Sequence, residues 1–263
     1  MFLPKAFLLD VDRTITNLNR EVSSETQVAL AKIQSKIPVG LSTGRSYAQL
    51  KNLVMQYMKP GSLHIVSGGG EIVTTEGNVV WSKPIPHSVV KKIIDASSKI
   101  GEIYGFGKGE TFYGSKGFFD NYGRKTNWRV DYQPVASIDD WSVPLLVVIN
   151  VDEVFLKFLD GIKEITYKKM TTYQNQPYVD ITSVGVNKSV AVEFWSEQVG
   201  VNVEQIAMVG DGENDIEILQ TVGYGVAMGN AVPTMKEVAD LVIGHTDENG
   251  LAKYISDIYN ILD

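Results

Sequence analysis

Ala6-Phe7-Leu8-Leu9-Asp10-Val11-Asp12-Arg13-Thr14 runs four apolar residues directly into two carboxylates and a hydroxyl, close to the start of the sequence. A short, continuously apolar run reads as a strand buried on both faces, the usual reading of a strand in a parallel sheet. In open α/β sheets ligands bind beyond the carboxyl ends of the strands, so polar residues that end such a strand are the first candidates for chemistry. An isolated Asp-x-Asp reads more readily as an ordinary turn, because Asp favours strand-to-loop junctions. The flanking sequence has to decide.

Outward from this stretch, strands and helices alternate. Ser24-x-x-Gln27 has the form of a capping box, and the residues up to Ile37, before Pro38, read as a helix. Pro38 to Ser42 and Leu63 to Val66 read as the second and third strands. Leu50, Leu53, Val54 and Tyr57 recur at helical spacing between them. The C-terminal third repeats the rhythm. Val190, Ala191, Phe194 and Trp195 form one helical face that Gly200 is placed to end. Ile206 to Val209 and Tyr224 to Met228 read as strands, with Ile216 to Val222 a helix between them; Ala239 to Ile243 completes the set, and Leu251 to Leu262 is helical. This alternation implies a doubly wound parallel sheet with right-handed crossovers.

The middle differs. Between Lys83 and Gly185 aromatics and glycines are frequent. Helical segments are expected at Val89 to Ile100 and Phe155 to Ile162, and a strand at Leu145 to Val151. The expected organisation is a core built from residues 1–82 and 186–263, with an α+β domain at 83–185 inserted into it through two linkers. Gly105-x-Gly-x-Gly109 does not complete a dinucleotide fingerprint and reads as a flexible loop. Arg124, Lys125 and Arg129 around Trp128 read mainly as a solvated face.

Composition narrows the function classes. With 263 residues, 44% hydrophobic and 21% charged, the chain has the balance of a soluble globular protein. A net charge of −7 argues against nucleic acid as a partner, which needs a basic surface. No apolar run is long enough to suggest a membrane span, and Met1-Phe2-Leu3-Pro4-Lys5 has no signal-peptide pattern. The absence of cysteine removes disulfides, thiolate metal sites and a cysteine nucleophile. A cytoplasmic protein, monomeric or a small homo-oligomer, is expected. His64, His87 and His245 share no metal-ligand spacing and are assigned to strand or surface roles.

Polar residues converge on the strand ends. The first strand ends in Asp10 and Asp12, the second in Thr43-Gly44-Arg45, and the strand at Ile206 in Gly210-Asp211-Gly212-Glu213-Asn214-Asp215. Lys188 opens the helix leading into that last strand. Neighbouring carboxylates repel unless a hard cation sits among them, and Mg²⁺ takes oxygen ligands with retained waters. With such a metal an anionic carboxylate can attack phosphorus, so the set points to phosphoryl transfer through a covalent intermediate. A carboxyl two residues along, Asp12, can serve as acid and then as base. Thr43 can hydrogen-bond the phosphoryl oxygens, and Lys188 can neutralise their charge.

On these residues the sequence resembles the haloacid dehalogenase-like hydrolase superfamily, specifically its Cof-type phosphatases of type IIB with an inserted type 2 cap. The motif Asp-x-Asp-x-Thr matches Asp10 to Thr14; the second motif matches Thr43; the Asn-Lys pair matches Asn187-Lys188; and Gly-Asp-x-x-Asn-Asp matches Gly210 to Asp215. Gly225 to Ala231 and Ala239-Asp240 also look like that subfamily. The resemblance implies an α/β fold: a doubly wound, Rossmann-like hydrolase core with an inserted α+β cap. It implies Asp10 as nucleophile and metal ligand, and Asp12 as acid/base that also binds metal through its backbone carbonyl. Asp211 would bind Mg²⁺ directly, and Asp215 would lie among or just beyond the ligands. Thr43, Gly44, Arg45, Lys188 and Asn214 would surround the phosphate. Two positions depart from the pattern. Arg13 stands where most relatives have glycine, and Gly68-Gly69 replaces the usual Asn-Gly.

The function expected is Mg²⁺-dependent hydrolysis of a small phosphorylated metabolite, such as a sugar phosphate or phosphoglycolate. Two alternatives stay open: a phosphomutase of the same superfamily and a non-catalytic phosphometabolite-binding protein.

Overall fold

The computed structural model describes residues 2–98, 103–118, 120, 130–135, 138–171 and 175–262. Its first part carries β1 (Ala6–Leu9), α1 (Ser24–Ile33), β2 (Val39–Leu41), α2 (Tyr47–Tyr57), β3 (Leu63–Val66), β4 (Glu71–Thr74) and β5 (Val79–Ser82). The middle carries α3 (His87–Ser97), β6 (Ile103–Lys108), β7 (Thr111–Gly114), the single turn α4 (Lys116–Phe118), β8 (Asp131–Pro134), β9 (Leu145–Ile149), α5 (Glu153–Asp160), β10 (Ile165–Thr171) and β11 (Pro177–Ser183). The last part carries α6 (Lys188–Val199), β12 (Ile206–Gly210), α7 (Ile216–Thr221), β13 (Tyr224–Ala227), α8 (Pro233–Val238), β14 (Leu241–Val242) and α9 (Gly250–Leu262).

The central sheet is parallel throughout, in the order β14-β13-β12-β1-β2. Side chains of successive strand residues point to opposite faces, and β1 shows the consequence. Phe7 and Leu9 pack with Leu30 and Ile33 of α1, Leu50 of α2 and Ile255 of α9. Ala6 and Leu8 pack on the other face with Ala191, Val192 and Trp195 of α6. Helices on both faces are what a doubly wound sheet requires, and the fold class agrees with the sequence reading.

Beyond β2, strand β3 lies alongside through a parallel bridge between Ser42 and Ile65, with Thr43 N–H donating to the Ile65 carbonyl at 3.0 Å. It then pairs antiparallel with β4, and β4 with β5. This hairpin was not expected from the sequence. A third sheet, in the order β10-β11-β9-β6-β7-β8, is antiparallel except for its β7–β8 edge. Helices α3 and α5 cover it through Val90, Ile93, Phe155 and Leu159 against Leu146, Val148, Val179 and Ile181.

Several local expectations are corrected. Helix α1 starts one residue earlier in its cap: the Ser23 hydroxyl accepts from Thr26 N–H at 3.2 Å, and the helix ends at Ile33, not near Ile37. On α6 the buried apolar residues are Ala191, Val192 and Trp195; Phe194 is exposed and stacks on Trp81 at 4.7 Å. Gly105 and Gly107 lie in strand β6, where a Cβ at 107 would collide with the Ser46 side chain. They are glycines for close packing, not a flexible loop. Arg124, Lys125, Trp128 and Arg129 fall outside the described residues. Among the described residues no helix is long and apolar enough to cross a membrane.

Candidate active site at the strand ends

The ladder delivers the acidic residues in register. Asp10 N–H donates to the Val209 carbonyl at 2.8 Å, so the residue after β1 stands beside the end of β12, where Asp211 follows Gly210. A turn of 3-10 helix then brings Asp215 back, fully buried, against Gly210. Glycine is needed there, since a Cβ at 210 would stand 2.7 Å from Asp215 Oδ2. One oxygen from each of Asp10, Asp211 and Asp215 lies within 4.8 Å of the others, and all three residues are buried.

Lys188 closes this cluster from the other side. Asn187 caps α6, its side chain accepting from Val190 N–H at 2.8 Å, and so fixes where Lys188 begins. The Lys188 ammonium, 5% exposed, donates to Asp215 Oδ1 at 2.6 Å, the Ser42 carbonyl at 3.1 Å and Asp10 Oδ1 at 3.3 Å. A buried ammonium without such partners would cost several kcal/mol, on the order of the penalty for an unpaired buried ion. Its two carboxylate neighbours hold it above the usual lysine range although burial opposes this.

Gly69 makes the approach possible. Its φ is +97°, and a Cβ there would collide with the Asn187 carbonyl. The glycines after β3 therefore let that loop touch the start of α6.

The carboxyls are electrostatically unequal. Burial and repulsion from Asp215 push Asp10 well above the usual carboxylate range, with Lys188 pulling the other way. Burial likewise pushes Asp211 up to about 7 against the attraction of Arg13. Burial would also raise Asp12, but Arg45 outweighs it and holds the carboxyl below its ordinary value. Arg45 Nε and Nη2 each donate to one Asp12 oxygen at 2.6 Å, a bidentate clasp that occupies both. The Asp12 side chain thus stands apart from the Asp10, Asp211 and Asp215 cluster and is paired to the residue that follows Gly44.

Thr43, 2% exposed, accepts Arg45 N–H on its Oγ1 at 3.2 Å. Its own O–H remains available as a donor. Gly44 and Asn214 line one cleft with Lys188, beside the buried cluster. The structure therefore brings Asp10, Asp211, Asp215 and Lys188 into contact, with Thr43, Gly44 and Asn214 around them.

Arg13 has an unusual backbone, at φ +61°, the region that normally favours glycine. Its side chain turns inward: Nε lies 3.5 Å from Asp211 Oδ2, and Nη2 donates to the Asn230 carbonyl at 3.3 Å. Asn230 Nδ2 returns bonds to the Arg13 carbonyl at 2.9 Å and Asp211 Oδ2 at 3.3 Å. These contacts of Asn230, and the Ser42 carbonyl as a lysine acceptor, were not anticipated. Asn230 lay in a recognised segment, but only the fold shows what it touches.

Three clustered, desolvated carboxylates that offer only oxygen suit a hard divalent cation, which would offset the burial and the repulsion that raise Asp10 and Asp211. The donor set fits Mg²⁺.

A family model for haloacid dehalogenase-like hydrolases matches residues 7–255. The chain belongs to the haloacid dehalogenase-like hydrolase family. Among curated relatives of this hydrolase, the 5-amino-6-(5-phospho-D-ribitylamino)uracil phosphatase YcsE of Bacillus subtilis is 26% identical over 253 residues, covering 95% of this chain and 94% of the relative. A phosphoglycolate phosphatase of Archaeoglobus fulgidus is 24% identical over 257 residues, covering 96% of each. The fold matches that of the subclass IIB sugar phosphatase BT4131 with a TM-score of 0.77, at 23% identity and coverage of 96% of this chain and 98% of that one. This haloacid dehalogenase-like hydrolase is accordingly an enzyme, a phosphatase with metal dependence general to its family.

Proposed function

We propose that the protein is a Mg²⁺-dependent phosphatase of small phosphorylated metabolites, cytoplasmic, in which Asp10 is the nucleophile and an aspartyl-phosphate the intermediate. The observation that carries the reading is the contact of Lys188 with both Asp10 and Asp215, beside Asp211, at the ends of adjacent parallel strands. In this reading residues 83–185 act as a cap that covers the site and meets the leaving group. The residues that would hold the metal are Asp10, Asp211 and Asp215, with the Asp12 carbonyl. When bound, it would supply charge neutralisation for the phosphate and keep the carboxylates ionised.

The chain's own residues then divide the work. Lys188 orients Asp10 and favours its ionised form, so that one Asp10 oxygen attacks phosphorus while the bond from phosphorus to the leaving oxygen breaks. Thr43 donates its free O–H to a phosphoryl oxygen, and Lys188 adds positive charge where negative charge gathers. The leaving oxygen takes its proton from Asp12. For that, Asp12 must first leave the clasp of Arg45, because a carboxylate held below its ordinary pKa is a poor acid. Arg45, once released from Asp12, would pair with the substrate phosphate. In the second step Asp12 removes a proton from water, the water oxygen bonds to phosphorus, and the Asp10–phosphorus bond breaks to give inorganic phosphate.

Asp10→Asn keeps the side-chain shape and removes the nucleophile. The variant should retain the fold by circular dichroism and lose hydrolysis of an aryl phosphate by at least about 10³-fold, the scale on which loss of a covalent nucleophile registers. Undiminished turnover would overturn the assignment.

A further inference from the structure

Strand β11 presents alternate residues to two different surroundings. Val179 and Ile181 are buried under α3 and α5, whereas Asp180 and Thr182 face the other way, into a cleft of 140 Å³ bounded below by Gly44, Gly68, Lys188 and Asn214. The sheet of the middle segment thus forms one wall of a cleft whose opposite wall is the phosphate-handling strand ends. Asp180 reaches across it: its Oδ2 lies 4.0 Å from the position a Cβ on Gly44 would take.

The charges around this cleft are otherwise accounted for. Lys188 is held by Asp10, Asp215 and the Ser42 carbonyl. Lys168, directly opposite Asp180 on β10, sends its ammonium away to Glu217 of α7 at 3.3 Å. The Asp180 side chain makes no hydrogen bond and no ion pair among the described residues, its backbone alone being paired in the ladder. It caps no helix and completes no network, so the fold gives it no structural task. Its surroundings are desolvating enough to push its carboxyl up to about 7, although Lys188 and Lys168 both pull it down. A carboxyl in such a place keeps its hydrogen-bonding capacity for a group that enters the cleft.

We propose that Asp180 is a specificity-determining residue that hydrogen-bonds a hydroxyl of the substrate's leaving group, so that the enzyme selects polyhydroxylated phosphomonoesters and disfavours leaving groups carrying a carboxylate. The selection has two parts. A hydroxyl satisfies the desolvated carboxyl, while a substrate lacking it leaves that group unpaired. A carboxylate such as that of phosphoglycolate would sit beside a like charge in a poorly solvated cleft. The phosphate end of the ester would rest between Thr43 and Lys188, and the leaving group would extend past Gly44 to Asp180. This rests on the phosphatase reading given above and names the substrate class for that same site.

The test is steady-state kinetics of the full chain with saturating Mg²⁺ on three esters: p-nitrophenyl phosphate, a hexose 6-phosphate and 2-phosphoglycolate. Wild type should favour the hexose phosphate over phosphoglycolate in kcat/KM. Asp180→Ala should lower kcat/KM for the hexose phosphate by about tenfold or more beyond its effect on the aryl ester, the scale on which a site built for a hydroxyl registers its loss. The loss should fall mainly on KM, and the hexose-to-phosphoglycolate ratio should narrow. Asp180→Asn, which keeps an acceptor, should recover part of the preference, and its thermal melt guards against an unfolded Ala variant. Equal losses on all three esters, no loss on any, or a wild-type preference for phosphoglycolate would overturn the role of Asp180 while leaving the phosphatase reading intact. A wild type inert toward every ester would overturn the phosphatase reading, and this proposal with it.

Discussion

Arg13 shows how one residue can alter a site without belonging to its chemistry. Its guanidinium lies against Asp211, one of the carboxylates proposed to hold the metal, and its backbone sits where glycine would be unstrained. Arg13→Gly should therefore tighten Mg²⁺ binding. With Arg13 partly exposed and solvent screening the pair, it is worth about 0.2–1 kcal/mol, which translates to roughly a 1.4- to fivefold lower Kd. Isothermal titration with Mg²⁺ measures it directly; unchanged or weaker binding would show that Arg13 supports the acidic cluster instead. His64 is the second instructive residue. It is fully buried, accepts Leu41 N–H on Nδ1 at 3.2 Å and contacts Thr75 Oγ1 through Nε2 at 3.1 Å, so the proton belongs on Nε2 and the ring is neutral. Burial pushes its pKa down to about 3. The unfolded chain then binds the proton that the folded one refuses, and stability falls as pH drops below about 6.5 toward 3, by at most about 1.4 kcal/mol per pH unit from this residue. Thermal melts of His64→Gln between pH 7 and 4 should show a shallower pH dependence than wild type. An identical slope would assign the acid sensitivity elsewhere. The sequence reading had given His64 only strand duty; its link to β2, the strand that leads to Thr43, depends on a contact across 23 residues that no local pattern contains.

At the scale of elements, the parallel strands and their helices were legible because each reads through its own periodicity. Three of the four motifs were legible because they stand at strand ends, where a doubly wound sheet gathers polar groups, and Asn187-Lys188 because it opens a helix. The β4–β5 hairpin was not, because Glu71-Ile72-Val73-Thr74 is short and β5 is mostly exposed, leaving little alternation to read. The glycines after β3 show the same limit. They registered as a departure from the family pattern, but their physical reason is the contact of Gly69 with Asn187. Gly69→Ala should push back the first turn of α6 and shift the Lys188 ammonium from its three acceptors. A strained backbone at φ +97° adds about 1–3 kcal/mol. The expected outcome is a lower melting temperature together with a fall in kcat for any ester hydrolysed. Unaltered kcat would mean that Lys188 holds its place independently of the loop.

At the scale of the molecule, the six-stranded sheet meets the core through an apolar patch, where Ala48 of α2 is buried with Phe112, Phe118 and Ile149, and through ion pairs at its margin. Lys168 pairs with Glu217, and Lys51 pairs with Glu110 at 2.5 Å, each joining one sheet's segment to the other's helices. Such exposed pairs contribute little, about 0–1 kcal/mol each and less at high salt, so the apolar patch carries most of this contact. The acidic cluster with Lys188, by contrast, is buried and comes from the ends of core strands and the start of α6. That division accounts for what the sequence could convey: the chemistry sits in compact motifs, whereas the leaving-group wall is made by strand faces whose alternation is read only once their sheet is known. The account stands on Asp10 as a covalent nucleophile, and one measurement meets it directly. Wild type and Asp10→Asn would be acid-quenched within the first turnovers on a good substrate, digested and examined by mass spectrometry. The account predicts one phosphoryl group on the wild-type peptide at Asp10 and none in the variant. Turnover that proceeds with the phosphoryl group on a different residue, or with Asp10→Asn labelled as wild type is, would contradict it.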